Sequence, residues 1–287
     1  MRIITLLVFL FAALQGKPLI VASVYPIYNF VSAVAEEEVS LSLLVLPNND
    51  PHSFEPTPKD IVNIGNADIF FFISPEFEPW TQKFVKRAKF AVSVSNEEHE
   101  NHTHIEDCEH NDPHIWLDPE GAIEIIEIIA ENLKKILPEK ADFFEKNAEN
   151  LISQINNMHL EYKIKFENCR LRKVFFAGHN SFAGFAQRYD LEFIPVTRSF
   201  SSSAEPSAKQ IAEIIDNIKK NGAEFVYYDA LSSVSIAKTI AKETKTRILP
   251  LYSIHTVSKD DFMKNIGYME YMKRNYENLL QGLRFNR

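Results

Sequence analysis

The chain has 287 residues, 45% of them hydrophobic, 24% charged and 12% aromatic, with a formal charge of −8. That is enough for one large core or, more in keeping with ordinary domain sizes, two domains. The acidic balance excludes nucleic acid as a partner, since phosphate needs a basic face, and suits a cation; with 8 glycines the chain carries neither a dinucleotide fingerprint nor a phosphate loop.

In chain order, Arg2, an unbroken apolar run from Ile3 to Leu14 and the small-residue point before Lys17 predict a secretory signal peptide over residues 1–16. The run is too short to span a bilayer as a mature helix. No cysteine lies near its end, so no lipid anchor is expected, and the protein is expected to be exported to the periplasm or extracytoplasmic space. An N-terminal lobe is predicted over 17–137. Leu19 to Val24, Leu41 to Leu46, Ile69 to Ile73 and Phe90 to Val94 read as strands, separated by helices around Ile27 to Val34 and from Pro58 to Ala67. Continuous apolar strands alternating with helices predict a parallel sheet covered on both faces.

Residues 96–114 then hold five of the nine histidines, seven carboxylates and no lysine or arginine. An acidic, His-rich loop, bounded at 96–112, is a surface that collects metal ions, because imidazole is a common ligand for borderline-soft divalent cations. His99, His102, His104 and His110 are its auxiliary ligands. Cys108 is either a soft addition to them or a partner for the distant Cys169. Asp118 and Pro119 read as the N-cap and first residue of a helix carrying Ala122, Ile126, Ile129, Leu133 and Ile136 on one face.

From Pro138 to about Phe166 neither glycine nor internal proline occurs, and Phe144, Ala148, Leu151, Ile155, Met158 and Tyr162 recur at helical spacing. One helix of about 28 residues, roughly 42 Å long, is predicted. It is either a coiled-coil arm or a rigid strut, here placed at 138–168 between two lobes. In a C-terminal lobe, 169–287, strands are predicted at Lys173 to Ala177, Glu192 to Val196, Phe225 to Tyr228 and Arg247 to Leu251. Helices are predicted at Phe182 to Tyr189, Pro206 to Lys220 and Ser235 to Thr244, with a last one from about Asp261 to Leu283.

His52, His114, His179 and His255 each stand beyond a predicted strand or its loop, at separations of 62, 65 and 76 positions. In open α/β sheets the ligand crevice lies outside the carboxyl ends of the strands. No two of these residues form a local chelate, and neither HExxH nor CxxC occurs, so a site made from them must be assembled from both halves of the chain. His159, inside the long helix, reads as surface or packing.

The segments PHSFEPTPKDI (51–61), NDPHIWLDP (111–119), GHNSFAGFAQRYDLEFIPV (178–196) and AEPSAKQIAEII (204–215) resemble the cluster A-I solute-binding proteins of metal ABC transporters, in particular the zinc-binding members with a charged His-rich loop. The resemblance covers nearly all of the mature chain in order. It implies an α/β fold of two (β/α) lobes with parallel sheets joined by one long rigid helix, one Zn²⁺ held between the lobes as cargo, no catalysis, and delivery to a membrane permease. Carried over, His52, His114 and His179 match the three ligand histidines; manganese-type members have a glutamate in place of the third. At the fourth position many members carry an aspartate in a Thr-Asp-Ser-type segment. Here the segment reads Tyr252-Ser253-Ile254-His255, with the first acids at Asp260 and Asp261, which leaves His255, a water or a carboxylate as the fourth ligand. Four imidazoles would suit tetrahedral zinc, with Glu55 or Glu205 supplying negative charge from behind them. A monomer is expected, whose affinity for metal falls as imidazoles protonate between about pH 7 and 5. The alternatives are the same role for Mn²⁺, an exported zinc-dependent hydrolase using Glu55 as base, and an adhesin or scaffold that unfolds without metal.

Overall fold

The structure, a computed structural model, describes residues 16–95, 112–199 and 206–285. The signal peptide up to residue 15, the His-rich loop with His99, His102, His104, His110 and Cys108, and Glu205 lie outside the described residues. None of the described helices is long and apolar enough to cross a membrane.

Two four-stranded sheets form, with all the pairings parallel. In the first lobe they are β1 (Leu19–Ala22), β2 (Ser40–Leu43), β3 (Ile69–Phe72) and β4 (Ala91–Ser93), in the order β2-β1-β3-β4. In the second they are β5 (Lys173–Phe176), β6 (Glu192–Pro195), β7 (Phe225–Asp229) and β8 (Arg247–Leu251), in the equivalent order β6-β5-β7-β8. The run of phenylalanines in β3 shows why these strands read as unbroken apolar stretches. Successive side chains leave a strand on opposite faces. Phe71 therefore enters the main core while Phe70 and Phe72 fill a separate cluster with Ile64 and Trp80 on the other side. Helices cover both faces, so the central strand positions are largely apolar, and the charged residues Lys173, Glu192 and Arg247 stand at the exposed strand starts.

The first lobe carries α1 (Tyr25–Ala35), α2 (Pro58–Asn66) and α3 (Pro119–Ile136). Thr57 and Asp60 form a capping box on α2, and Asp118 caps α3 by accepting from the Glu120 N–H. The long helix is α4 (Ala141–Glu167) with 27 residues, about 40 Å at 1.5 Å per residue. Pro138–Lys140 forms a separate 3-10 turn instead of the helix's first turn, because the residue before proline is driven out of the helical region and Leu137 sits at φ −133°. The apolar stripe of α4 is buried against α1, α3 and α9 of the same chain, which removes the coiled-coil arm as its explanation. The second lobe carries α5 (Ala183–Arg188), α6 (Ala208–Asn221), α7 (Ser235–Thr244), α8 (Lys259–Met263) and α9 (Tyr268–Gly282). The single last helix expected from Asp261 is in fact two. Asn265 takes a positive φ of 53° and Gly267 is then the N-cap of α9.

One apolar cluster runs through the whole molecule. It joins Phe30 of α1, Phe144 and Phe166 of α4, Phe176 of β5 and Tyr276 of α9. Tyr162 of α4 stacks on Tyr276 with centroids 4.2 Å apart, and His159 of α4 shares a 2.9 Å hydrogen bond with the Tyr189 hydroxyl. His159 is thus a packing residue. The strut and both lobes share one interior.

Candidate metal site

Four histidines stand on segments that follow four different strands. His52 sits in a 3-10 turn, Pro51–Ser53, beyond β2, and His114 caps the turn Ile115–Leu117 beyond the loop that follows β4. His179 follows β5 and His255 follows β8. The backbone around His255 is strained to aim it. Ile254, a buried β-branched residue, is held at φ +62°, a conformation that costs of the order of 1–3 kcal/mol and persists where the surroundings impose it.

The four side chains converge: each offers a ring nitrogen, and these nitrogens all lie within 4.8 Å of one another. Nε2 of His114 and Nε2 of His179 are 3.4 Å apart. Two nitrogens bound to one tetrahedral zinc at about 2.0–2.1 Å stand roughly 3.4 Å apart, so that pair already has the spacing of a tetrahedron's edge. Nε2 of His52 and Nδ1 of His255 are buried without a hydrogen-bond partner. Buried polar atoms are ordinarily satisfied, so these two orphaned nitrogens fit a site whose ligands are ring lone pairs. His114, His179 and His255 are buried and His52 is half-buried. Phe77, 4.6 Å from the His52 ring, and Trp116, 5.4 Å from the His114 ring, wall the site with apolar surface.

Burial and mutual repulsion favour the neutral form of His52, His179 and His255. Desolvation, followed by the neighbouring His255 and His114, lowers the His52 pKa to about 3. Desolvation lowers His179 further, helped by the other three imidazoles. His255 is also lowered by burial, against an opposing pull from Asp229. Neutral imidazole is the form that ligates metal, so burial holds these three rings in the form an ion needs.

Among the described residues, Asp112, Asp50 and Asp229 bring negative charge to the site, while Glu205 lies outside them. Glu55 is exposed on the loop beyond His52. Asp112 instead bonds Nδ1 of His114 at 3.0 Å through Oδ1, while its Oδ2 accepts from the Gly184 N–H at 2.9 Å. This carboxylate fixes the ring so that Nε2 faces the centre. Asp50 accepts from the backbone N–H of His52 at 3.0 Å, as Asp112 does from that of His114 at the same distance. Asp229, buried at the end of β7, accepts from the Leu231 N–H and keeps Oδ2 unpartnered. The sequence held a signal for two of these three: Asn-Asp-Pro-His occurs twice, at 49–52 and 111–114, and builds the same Asp-to-His turn both times. Asp229 at the end of a strand had none.

Contacts across the seam hold the four ligands in register. The Trp116 indole donates to the Ser253 carbonyl at 2.8 Å, and the Tyr268 hydroxyl donates to the Trp116 carbonyl at 2.8 Å. The Asn48 N–H reaches the Val257 carbonyl at 3.0 Å. Loops bearing ligands of one lobe are thus bonded to loops bearing ligands of the other.

Comparison with known proteins bears on what such a centre is for. The family model described as "Zinc-uptake complex component A periplasmic" matches residues 20–282. The "High-affinity zinc uptake system protein ZnuA" of Bacillus subtilis is 30% identical over 92% of this chain and 87% of its own length. The "Zinc-binding lipoprotein AdcA" of Streptococcus pneumoniae is 30% identical over 93% of this chain but 56% of its own, and the chain spans about half the length of this and similar curated relatives. The crystal structure of the Zn(II)-bound ZnuA-like domain of Streptococcus pneumoniae AdcA superposes with a TM-score of 0.79 at 28% identity, covering 93% of this chain and 99% of that one. With a match that runs from the first strand to the end of the last helix, on the same two-lobed fold, this chain belongs to the ZnuA family of periplasmic zinc-uptake components.

Proposed function

We propose that this chain is an exported solute-binding protein that captures a divalent transition metal, Zn²⁺, between its two lobes and delivers it to the membrane permease of an ABC importer. The observation that carries the reading is the convergence of His52, His114, His179 and His255, from segments that follow four different strands of two lobes, within 4.8 Å. Four nitrogen donors complete a tetrahedron and favour zinc over manganese, which prefers oxygen. They leave no open position for an activated water, which argues against a hydrolase. In this reading residues 1–16 are the export signal, 17–137 and 169–287 are the lobes, 138–168 is the strut, and His99, His102, His104 and His110 gather ions at weaker affinity. The protein acts as a monomer.

The test is metal content and calorimetric titration of the mature protein and of His255→Ala, with zinc and manganese in competition. One tight zinc per chain, little manganese, and a weakened site in the variant are expected. A wild-type chain with no tight zinc site would sink the reading. An unaltered affinity in His255→Ala would give the fourth position to water.

A further inference from the structure

The short helix α5 of the second lobe touches the His114 segment of the first lobe at both of its ends. Near its start, the Gly184 N–H donates to Asp112 Oδ2 at 2.9 Å. At its end, Arg188 forks onto two carboxylates that open α3. Nε and Nη2 donate to Asp118 Oδ1 and Oδ2, both at 2.8 Å, and Nη1 and Nη2 donate to Glu120 Oε1 and Oε2 at 2.5 and 2.6 Å. The guanidinium side chain is 27% exposed and that of Asp118 21%, so the fork is only partly screened by water. Asp118, followed by its bonds to Glu120, raises the Arg188 pKa above its already high value. Isolated surface ion pairs contribute little, but a bidentate guanidinium shared by two carboxylates is the geometry in which they do contribute.

The location gives this fork a consequence. His114 lies between Asp112 and Asp118, and His179 lies just ahead of α5. The helix therefore holds the two ligands whose Nε2 atoms are 3.4 Å apart, one from each lobe. The lobes cannot separate at this edge of the site while the fork is intact.

We propose that Arg188 is a positioning residue: its fork on Asp118 and Glu120 is a latch across the lobes, and its rupture is a step in metal release. The proposal rests on the metal-binding reading above. It predicts that the latch slows dissociation of the loaded ion without being needed for folding.

The experiment uses the full mature chain loaded with zinc, mixed rapidly with excess chelator, for the wild type, Arg188→Met, Arg188→Lys and Glu120→Gln. Glu120 is exposed, so its variant is expected to keep the fold. Arg188→Met is expected to raise the zinc dissociation rate about tenfold and Glu120→Gln by a smaller factor. Lysine, a point charge without the fork, recovers part of the loss. Added salt should accelerate release from the wild type and leave Arg188→Met unchanged, a response that a purely structural role would not give. Wild-type rates in both Arg188→Met and Glu120→Gln would overturn the proposal, and if Arg188→Met does not fold, Glu120→Gln decides alone. A wild-type chain that binds no zinc tightly would instead overturn the metal reading, and this proposal with it.

Discussion

Asp112 and His114 are bonded twice. The carboxylate Oδ1 accepts from the His114 backbone N–H at 3.0 Å and pairs with its ring Nδ1 at 3.0 Å. One oxygen thus fixes both the turn and the ring, and leaves Nε2 as the nitrogen that faces His179.

From that relationship, Asp112→Asn should reduce zinc affinity by about 10- to 100-fold, the usual loss when the outer partner of a ligating histidine is removed. His114→Ala should cost more, since it removes the ligand itself. Titration of both variants against the wild type checks the order. Equal affinity in wild type and Asp112→Asn would mean that the ring does not need its carboxylate.

Acid should destabilise the metal-free protein. His52, lowered to about 3, and His179 and His255, also lowered, stay neutral in the fold, while the same groups titrate near 6.5 in the unfolded chain. Between those values the unfolded state binds protons that the folded state refuses, so stability falls as the pH drops below about 6.5. The same burial moves the window for proton competition with zinc below the pH 7 to 5 expected from ordinary imidazoles. Denaturant midpoints of metal-free protein at pH 8, 6.5 and 5 measure the first effect and zinc titrations at the same pH values the second. A midpoint that did not decline below 6.5 would contradict the buried cluster.

How much of this was legible in the chain follows from where each signal resides. Sheets, strut and the convergence of His52, His114, His179 and His255 could be read because apolar periodicity and a scarce residue type are local features. The carboxylates were harder. Glu55 is close to His52 in sequence yet exposed, whereas Asp229 is far from His255 in sequence and buried where it partly opposes the lowering of that ring's pKa by burial. Which acid stands near which imidazole is decided by sheet order and crossover length, not by proximity along the chain. The division of the last helix was missed because the apolar pattern of Tyr268, Tyr271, Met272, Tyr276 and Leu279 masks the positive φ that Asn265 accepts.

Glu78 is fully buried, with Oε2 accepting from the Ile73 N–H at 2.7 Å, and burial raises its pKa to about 8. Here the sign is reversed relative to the histidines. The folded state holds a proton that the unfolded chain gives up near 4.5, so this residue costs stability progressively as the pH rises from about 4.5 to 8. Glu78→Gln keeps an oxygen for Ile73 and removes the titration. It should raise the melting temperature at pH 8 and leave it nearly unchanged at pH 4.5. An unchanged value at pH 8 would show that the carboxylate finds a compensating partner when it ionises.

The continuous interior makes a last prediction about cooperativity. Phe166, at the end of α4, is 1% exposed and lies against Tyr189, at 5.0 Å, and Tyr276, at 5.8 Å, between ring centroids. Phe166→Ala should cost about 3–5 kcal/mol, the range for removing a buried aromatic ring. Because the same cluster reaches Phe30 in the first lobe, the loss should lower one shared unfolding transition. Calorimetry of the metal-free variant distinguishes this from two lobes on a passive linker. In the latter case only the second lobe's transition would shift and a second would remain where it was. A single displaced transition would also mean that the metal-free protein keeps both lobes folded and in register. That is the state a protein needs if it is to assemble one binding site from four distant histidines each time an ion arrives.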